Sequence, residues 1–494
     1  MKPTTQEANS LLKTAIGLHR SGQIDQAVLL YRTLAGRYPA HAGVLYLLGT
    51  AESQRGNFEE GLRLLDRSLR AEPGNPEAHN NRGLALAELR RFDEAVQSFS
   101  QAIRLDPRNV GAHVGLAEAL QSLSRYDEAV GCCRQALEFA PTNSRLHYLL
   151  GLNLHLQGLY LEAVAGYDQA VRLRPDFAEA QWNRAQLKLL LGAFAEGWRL
   201  HEWRWKAGAS KQYARDFPHP LWLGEPSIAG RTLLVHAEAG IGDTIQFCRY
   251  LPMVEATGAR IVFEVQSALA SLVSSLPCRF TLVHGGQEIP PFDLHCPLMS
   301  LPLAFRTEMA TIPAAVPYLH ADDARRQQWR DRLGEKRGPR VGLVWAGNPE
   351  HGNDRNRSVA LQTLACLFDL PVEFHSLQRE YRDGDEAWLG RPAPLLRDHR
   401  HELNDFADTA ALVAELDLVI SVDTSVAHLA GALGRPVWIL LPFVPDWRWL
   451  VERTDSPWYP SATLFRQPRL DDWDSVVGKV RDELARFAGS GARA

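Results

Sequence analysis

The sequence predicts an α-solenoid followed by an α/β region made of two parallel-sheet domains. Three observations predict it. Proline recurs at 39, 73, 107, 141 and 175, a constant period of 34 residues. Beyond residue 220 the spacing changes to short, β-branched, nearly all-apolar runs, each followed by a polar turn and a helical pattern, which is how a parallel sheet with covering helices reads. Finally, 494 residues are too many for one core, and at about 100–200 residues per domain they make roughly three.

Composition narrows the function classes. The net charge is −4, which gives no general affinity for nucleic acid or for an anionic membrane. The six cysteines (Cys132, Cys133, Cys248, Cys278, Cys296 and Cys366) form no C-x-x-C pair and have no histidine at zinc spacing, so they read as buried, reduced thiols. The first ten residues are polar, and no apolar run approaches the ~18 residues of a membrane span. The expectation is a cytoplasmic protein with no transmembrane segment and no nucleic-acid partner.

Residues 8–205 read as a tetratricopeptide (TPR) superhelix of about six repeats. Small residues recur with the prolines: Ala15, Gly49, Gly83, Ala117, Gly151 and Ala185 at the eighth position, and Ala27, Gly61, Ala95, Ala129, Ala163 and Gly197 at the twentieth. Both positions must be small because the two helices of a hairpin cross there, while the proline ends the second helix. The sixth repeat departs from the pattern. Arg204 stands where a small residue is expected, Ala209 replaces the proline, and GWRLHEWRW is unusually aromatic. Trp198, Trp203 and Trp205 are expected to pack against the following domain, because a terminal repeat must cover its open face. Such arrays bind protein or peptide on the concave face of their first helices.

Residues 220–325 form the first α/β domain. Thr232–Ala237 reads as a buried strand, Glu238–Asp243 as a loop, and Thr244 to about Thr257 as a helix, with further strands at Arg260–Val265 and Phe280–His284. The loop A-G-I-G-D-T-I-Q lacks the third glycine of a dinucleotide fingerprint and the Lys-Ser/Thr of a P-loop, so neither NAD nor ATP is indicated. Gly240 and Gly242 let a substrate approach the backbone. Asp243 stands at the helix start, where capping alone would also account for it.

Residues 339–490 form the second. Val341–Gly347 is a strand running into the polar loop NPEHGNDRNRSV, which opens with Asn348 and carries Arg355 and Arg357. Val372–Gln378 is the next strand, and Gln378 would border a ligand at its end. Leu403–Asp417 reads as an amphipathic helix, and Asp472 to about Phe487 closes the chain. Between these lies the most informative stretch. Leu418–Val422 suits a strand buried on both faces, Asp423, Thr424 and Ser425 make a polar turn, and Val426, Leu429, Ala430 and Leu433 recur at helical spacing until Gly434 and Pro436. Free N–H groups at that helix start, with hydroxyls beside them, suit an anion, although Asp423 and Thr424 also fit plain helix capping. The tryptophan-rich loop Pro442–Tyr459 follows. Asp383-Gly384-Asp385 is the tempting Asp-x-Asp metal motif, but it sits in a hydrophilic stretch with no strand read before it, so no metal is predicted.

The run D-T-S-V-A-H-L-A-G-A-L-G-R-P-V resembles the nucleotide-sugar-binding segment of glycosyltransferase family 9, the heptosyltransferase-like enzymes, which have the GT-B fold of two Rossmann-like domains. The resemblance implies an inverting, metal-independent glycosyltransferase without a cofactor, using a nucleotide-diphosphate sugar as substrate. It implies Asp243 as general base, and Asn348, Arg357 in preference to Arg355, Gln378, Asp423, Thr424, Ser425 and His428 around the donor. Joined to the repeat array, the layout also resembles the protein O-GlcNAc transferases. Their asparagine ladder at the sixth repeat position is poorly matched by Lys13, Leu47, Asn81, Gly115, Leu149 and Asn183. A TPR scaffold with a non-catalytic nucleotide-sugar-binding half is the remaining alternative.

Overall fold

The computed structural model describes residues 5–207, 209–238, 240–386 and 396–491. The chain divides into two compact units, Met1–Ala180 and Gln181–Ala494.

Unit one is a succession of antiparallel helix pairs: α1 Thr5–Arg20 with α2 Ile24–Arg37, α3 Ala42–Gln54 with α4 Phe58–Ala71, α5 Pro76–Glu88 with α6 Phe92–Leu105, α7 Val110–Ser122 with α8 Tyr126–Phe139, and α9 Ser144–Leu156 with α10 Tyr160–Leu173. The 34-residue register reappears as repeated hydrogen bonds. His41, Asn75, Asn109 and Asn143 each cap a first helix, their side chains accepting from the amides of Val44, Ala78, Ala112 and Leu146. Such a cap contributes about 1 kcal/mol. His79, His113 and His147 each place Nε2 2.9–3.1 Å from the carbonyl of Pro73, Pro107 and Pro141, tying the first helix to the proline turn before it. Small residues do what their positions require. A Cβ on Gly83 or Gly115 would lie 2.7 or 2.4 Å from the Phe99 ring, so one aromatic fills the space left by two glycines.

The sixth pair, α11 Ala178–Leu190 and α12 Phe194–His201, falls with the α/β half: the division lies within the first turn of α11. Trp198 shows why. It is 1% exposed, donates from Nε1 to the Thr307 carbonyl at 3.0 Å, and meets Trp447 and Trp458 edge-on at 5.2 and 6.4 Å. Burying an indole of this size contributes roughly 4–6 kcal/mol. Trp203 and Trp205 behave differently from expectation: both are half-buried and lie under their neighbours Lys206 and Arg204. Arg204, the misfit of the repeat, is buried. It holds Glu238 with two nitrogens at 2.8 and 2.9 Å and also donates to Ser300 and Glu202.

Unit two contains two all-parallel sheets. The first has β1 Thr232–His236, β2 Arg260–Val265, β3 Thr281–His284 and β4 Leu294–Pro297 in the order β3-β2-β1-β4. The second has β5 Arg340–Val344, β6 Glu373–Ser376, β7 Leu396–Asp398, β8 Leu418–Val422, β9 Val437–Leu441 and β10 Ala462–Arg466 in the order β10-β9-β8-β5-β6-β7. One face of the second sheet, with Val341, Leu343, Phe374, Ile420 and Val422, packs on Val476, Val480 and Leu484 of the closing helix Trp473–Gly491. Among the described residues no helix is long and apolar enough to cross a membrane.

Candidate functional site

Each sheet reverses its strand order at one place. In the first, β1 has β2 on one side and β4 on the other; in the second, β5 has β6 on one side and β8 on the other. Loops leaving the carboxyl ends of such strands diverge and open a crevice, the usual ligand position of open α/β sheets. The turn after β1 and the helix start that follows it carry Gly240, Gly242 and Asp243. The loops after β5 and β8 carry Asn348 and Arg357, and Asp423, Thr424 and Ser425. Register keeps the second pair level, with Val344 opposite Ser421.

The helix after β1 starts earlier than the sequence predicts. It runs Ile241–Phe247, then a 3₁₀ turn to Tyr250 and a further helix Leu251–Ala256, rather than one helix from Thr244. Gly240 is therefore its N-cap residue, and Asp243 lies inside the first turn. Ala239 of the same loop lies outside the described residues. The Asp243 carboxylate is folded back onto Gly240, at the spot a Cβ there would occupy. Gly242 lies against the helix Ser425–Ala432: a Cβ on it would be 3.0 Å from the His428 ring and 3.5 Å from the Ser425 Cα. Glycine at 242 thus lets the two candidate segments, one from each sheet, touch.

In the second sheet Arg357 reaches the turn after β8 and donates from Nη1 to the Asp423 carbonyl at 2.9 Å. It lies across Gly347, where a Cβ would stand 2.5 Å from the guanidinium. Among the described residues its Nε has no hydrogen-bond acceptor, the Asp354 carboxylate being 3.7 Å away. Thr424 is the N-cap residue of the helix but makes no side-chain cap bond; its hydroxyl lies 3.0 Å from Ser421 Oγ. The capping that would explain this threonine without a ligand is therefore not made. Burial pushes the Asp423 carboxyl up to about 6, with Asp446 adding to the rise and Arg357 and Arg448 opposing it.

Asn348 is exposed and turns its side-chain oxygen to the Glu350 amide at 2.9 Å. Gln378 is buried and fully engaged with backbone: its oxygen accepts from Trp345 and Ala346, and its nitrogen donates to the carbonyls of Ala346 and Glu380. It shapes the end of β5. His428 is buried, with Nδ1 2.9 Å from the Tyr459 hydroxyl and its ring stacked on Trp449 at 5.4 Å. Burial first, then Arg448, drives its pKa well down, so it is neutral. Asp385 of the Asp-x-Asp follows β6 by nine residues, and its carboxylate is taken by Trp345 Nε1 at 3.0 Å and the Arg382 amide at 2.9 Å.

Sequence reasoning missed Arg448. It lies in the tryptophan-rich loop, 7% exposed, and donates to Asp243 from Nη2, to Gln246 Oε1 from Nε at 2.6 Å, and to Asp446 Oδ1 from Nη1 at 2.9 Å. The signal was present as a charged pair, Asp446 and Arg448, set among tryptophans in a loop with no other reason to be apolar. Arg249 makes a second link: it donates to the Trp458 carbonyl at 2.7 Å and the Tyr318 hydroxyl at 2.8 Å while stacking on Tyr318 and Tyr459. Asp243 itself is held above the usual carboxylate range, chiefly by burial, against the pull of Arg448.

Comparison with known proteins divides the chain in the same way. Residues 12–76 and 46–110, and again 86–152, match tetratricopeptide repeat families, and residues 403–441 match glycosyltransferase family 9 (heptosyltransferase). The repeat matches fall on the helix pairs of the first unit, and the family 9 match spans β8, the Asp423–His428 turn and helix, and β9. Among characterised proteins it is similar to Protein FlbA of Caulobacter vibrioides, 28% identical over 348 residues; the match covers 64% of this chain and 56% of that protein's length. Solved structures similar to it include MamA 41-end from Desulfovibrio magneticus RS-1 (24% identity, 33% of this chain and 92% of that chain, TM-score 0.30). Another is YrrB, described as a TPR protein with an unusual peptide-binding site (19% identity, 35% of this chain and 90% of that chain, TM-score 0.32).

Proposed function

We propose that the protein is an inverting, metal-independent glycosyltransferase that takes its sugar from a nucleotide-diphosphate donor, with the TPR array recruiting a protein partner or the acceptor. One observation supports the reading: the segments after β1 and β8, at the strand-order reversals of separate sheets, one with an acidic residue and one with a hydroxyl-bearing helix start, meet at Gly242 and the Ser425 helix. The donor's diphosphate lies at the amides and hydroxyls of Thr424 and Ser425, with Arg357 beside them. Arg357 then stabilises the departing nucleotide, which suits a cleft that uses a fixed cation in place of a metal ion. Asp243 accepts the proton of the acceptor hydroxyl as that oxygen attacks the anomeric carbon from the face opposite the leaving group. Raised by burial, its pKa lies nearer the range in which a carboxylate is an effective base.

Screening nucleotide sugars for thermal stabilisation tests the donor site. A ligand at 100 times its dissociation constant adds about 2.7 kcal/mol. A panel of uridine, guanosine, adenosine and cytidine diphosphate sugars with no shift removes the reading. The scaffold alternative is favoured by one feature, the engagement of Asp243 by Arg448. It requires that a stabilising donor be neither transferred nor hydrolysed.

A further inference from the structure

We propose that Arg448 is the positioning residue of this site: reaching from the second sheet's tryptophan-rich turn to Asp243, it fixes which carboxylate oxygen faces the acceptor. The inference rests on Asp243 being the base, and it adds a residue that no comparison assigns.

The 3₁₀ turn Trp447–Trp449 is held at its start. Asp446 caps it, its side chain accepting the Arg448 amide, and Arg448 lies flat over Trp447 with the guanidinium 4.3 Å from the ring centre. The side chain is therefore held at its root and along its length before it reaches the first sheet. Its three nitrogens then go to three separate acceptors: Asp243 and Gln246 on the helix after β1, and Asp446 in its own turn. A planar fork satisfied in this way has little rotational freedom, and lysine cannot reproduce it.

The effect on Asp243 is asymmetric. Oδ1 takes the Arg448 contact, while Oδ2 is turned to the place a side chain at residue 240 would fill. One oxygen is anchored and the other is left to receive a proton. Arg448 is poorly placed to bind a phosphate instead, because its donors already lie on two carboxylates that neutralise its field. The groups facing Asp243 are Glu238 from its own loop, Arg204 from the 3₁₀ turn Glu202–Trp205 after the sixth helix pair, Asp446 and Arg448 from the turn after β9, and His428, neutral, beneath Gly242. Removal of Arg448 leaves the half-buried Asp243 beside two carboxylates with only Arg204 opposing them.

The first measurement needs no donor. In full-length protein labelled with ¹³C at aspartate carboxyls, the Asp243 signal is the one absent from D243N. R448Q is expected to raise its titration midpoint by at least one pH unit, a tenfold change in proton affinity. R448K keeps the charge, so its midpoint stays within half a unit of wild type while the fork is lost. Calorimetry with UDP, GDP, ADP and CDP is expected to give R448Q affinities within twofold of wild type. An unchanged midpoint in R448Q overturns the proposal, and so does a tenfold loss of diphosphate affinity, which makes Arg448 an anion ligand. If R448Q fails to fold, R448K decides: turnover equal to wild type with any donor that stabilises the protein removes the positioning role. Wild-type turnover in D243N removes the base assignment instead, leaving the titration result to stand by itself.

Discussion

At the scale of single residues, the site keeps several features that cost stability. Asp423 is pushed up to about 6 from an ordinary 3.8. Below pH about 4 its carboxyl is neutral in both folded and unfolded chains. Between about 4 and 6 the folded protein holds a proton that the unfolded chain has released, and above about 6 it must ionise in its half-buried place beside Asp446. Stability therefore falls as pH rises through that window, by about 3 kcal/mol for roughly two pH units. D423N is expected to melt higher than wild type at pH 8 and to match it near pH 4. Equal melting at both pH values refutes the burial penalty. Arg357 and Thr424 carry the complementary prediction, since losing one charge-assisted contact costs about 1.5–3 kcal/mol, roughly ten- to a hundredfold in affinity. R357A and T424V are expected to lose nucleotide binding to that extent, as measured by calorimetry; wild-type affinity in both places the anion elsewhere. D243N keeps the size of the side chain but accepts no proton. Transfer is expected to fall about 100-fold with nucleotide affinity unchanged. Capping does not protect this residue from the test, because Gly240, and not Asp243, is the N-cap residue.

At the scale of elements, much was legible in the sequence and the rest failed for identifiable reasons. The repeat register, β1, β2, β5, β8 and the turn at Asp423 were readable because each is a local pattern: a 34-residue period, or an apolar run closed by a polar turn. β4, β7 and β10 were not. Leu294–Pro297 and Leu396–Asp398 are only four and three residues long, and Ala462–Arg466 alternates too weakly for its period to stand out. Arg448 escaped because its partner Asp243 is 205 residues away: the local Asp446–Arg448 pair marks the loop but not what it reaches. The sixth helix pair was seen as irregular, but its meaning lay in contacts a sequence does not show. Arg204 and Trp198 bind it to the ends of β1 and β4 through Glu238, Ser300 and Thr307. It follows that a chain beginning at residue 220 leaves Glu238 without its cation and exposes Trp447 and Trp458. Breaking a buried pair of this kind costs about 3–5 kcal/mol before the lost indole is counted. A chain starting at residue 176 is expected to be monodisperse by size exclusion and to melt cooperatively, whereas one starting at 220 aggregates. Equal stability of the two would show that the sixth pair is dispensable to the α/β half.

At the scale of the whole molecule, the two units obey different physics. Met1–Ala180 is a linear stack in which each hairpin touches chiefly its neighbours, so its stability is nearly a sum of repeat and interface terms. Gln181–Ala494 is closed by long-range contacts such as Arg249 with Trp458, 209 residues apart, and should unfold as a more cooperative body. The candidate site lies wholly in the second unit. A nucleotide sugar that binds there stabilises that unit alone, by an amount set by its concentration over its dissociation constant, and has no linkage to repeats that unfold independently. Differential scanning calorimetry of the full chain is therefore expected to show two transitions, of which a donor raises one, while residues 1–180 prepared separately reproduce the other and ignore the donor. A ligand concentration of 100 times the dissociation constant gives about 2.7 kcal/mol, which for a body of more than 250 residues moves the melting temperature by only a few degrees. If both transitions shift together, or a single one is seen, the array and the α/β half are thermodynamically coupled, and occupancy of the repeats would then be felt at the site.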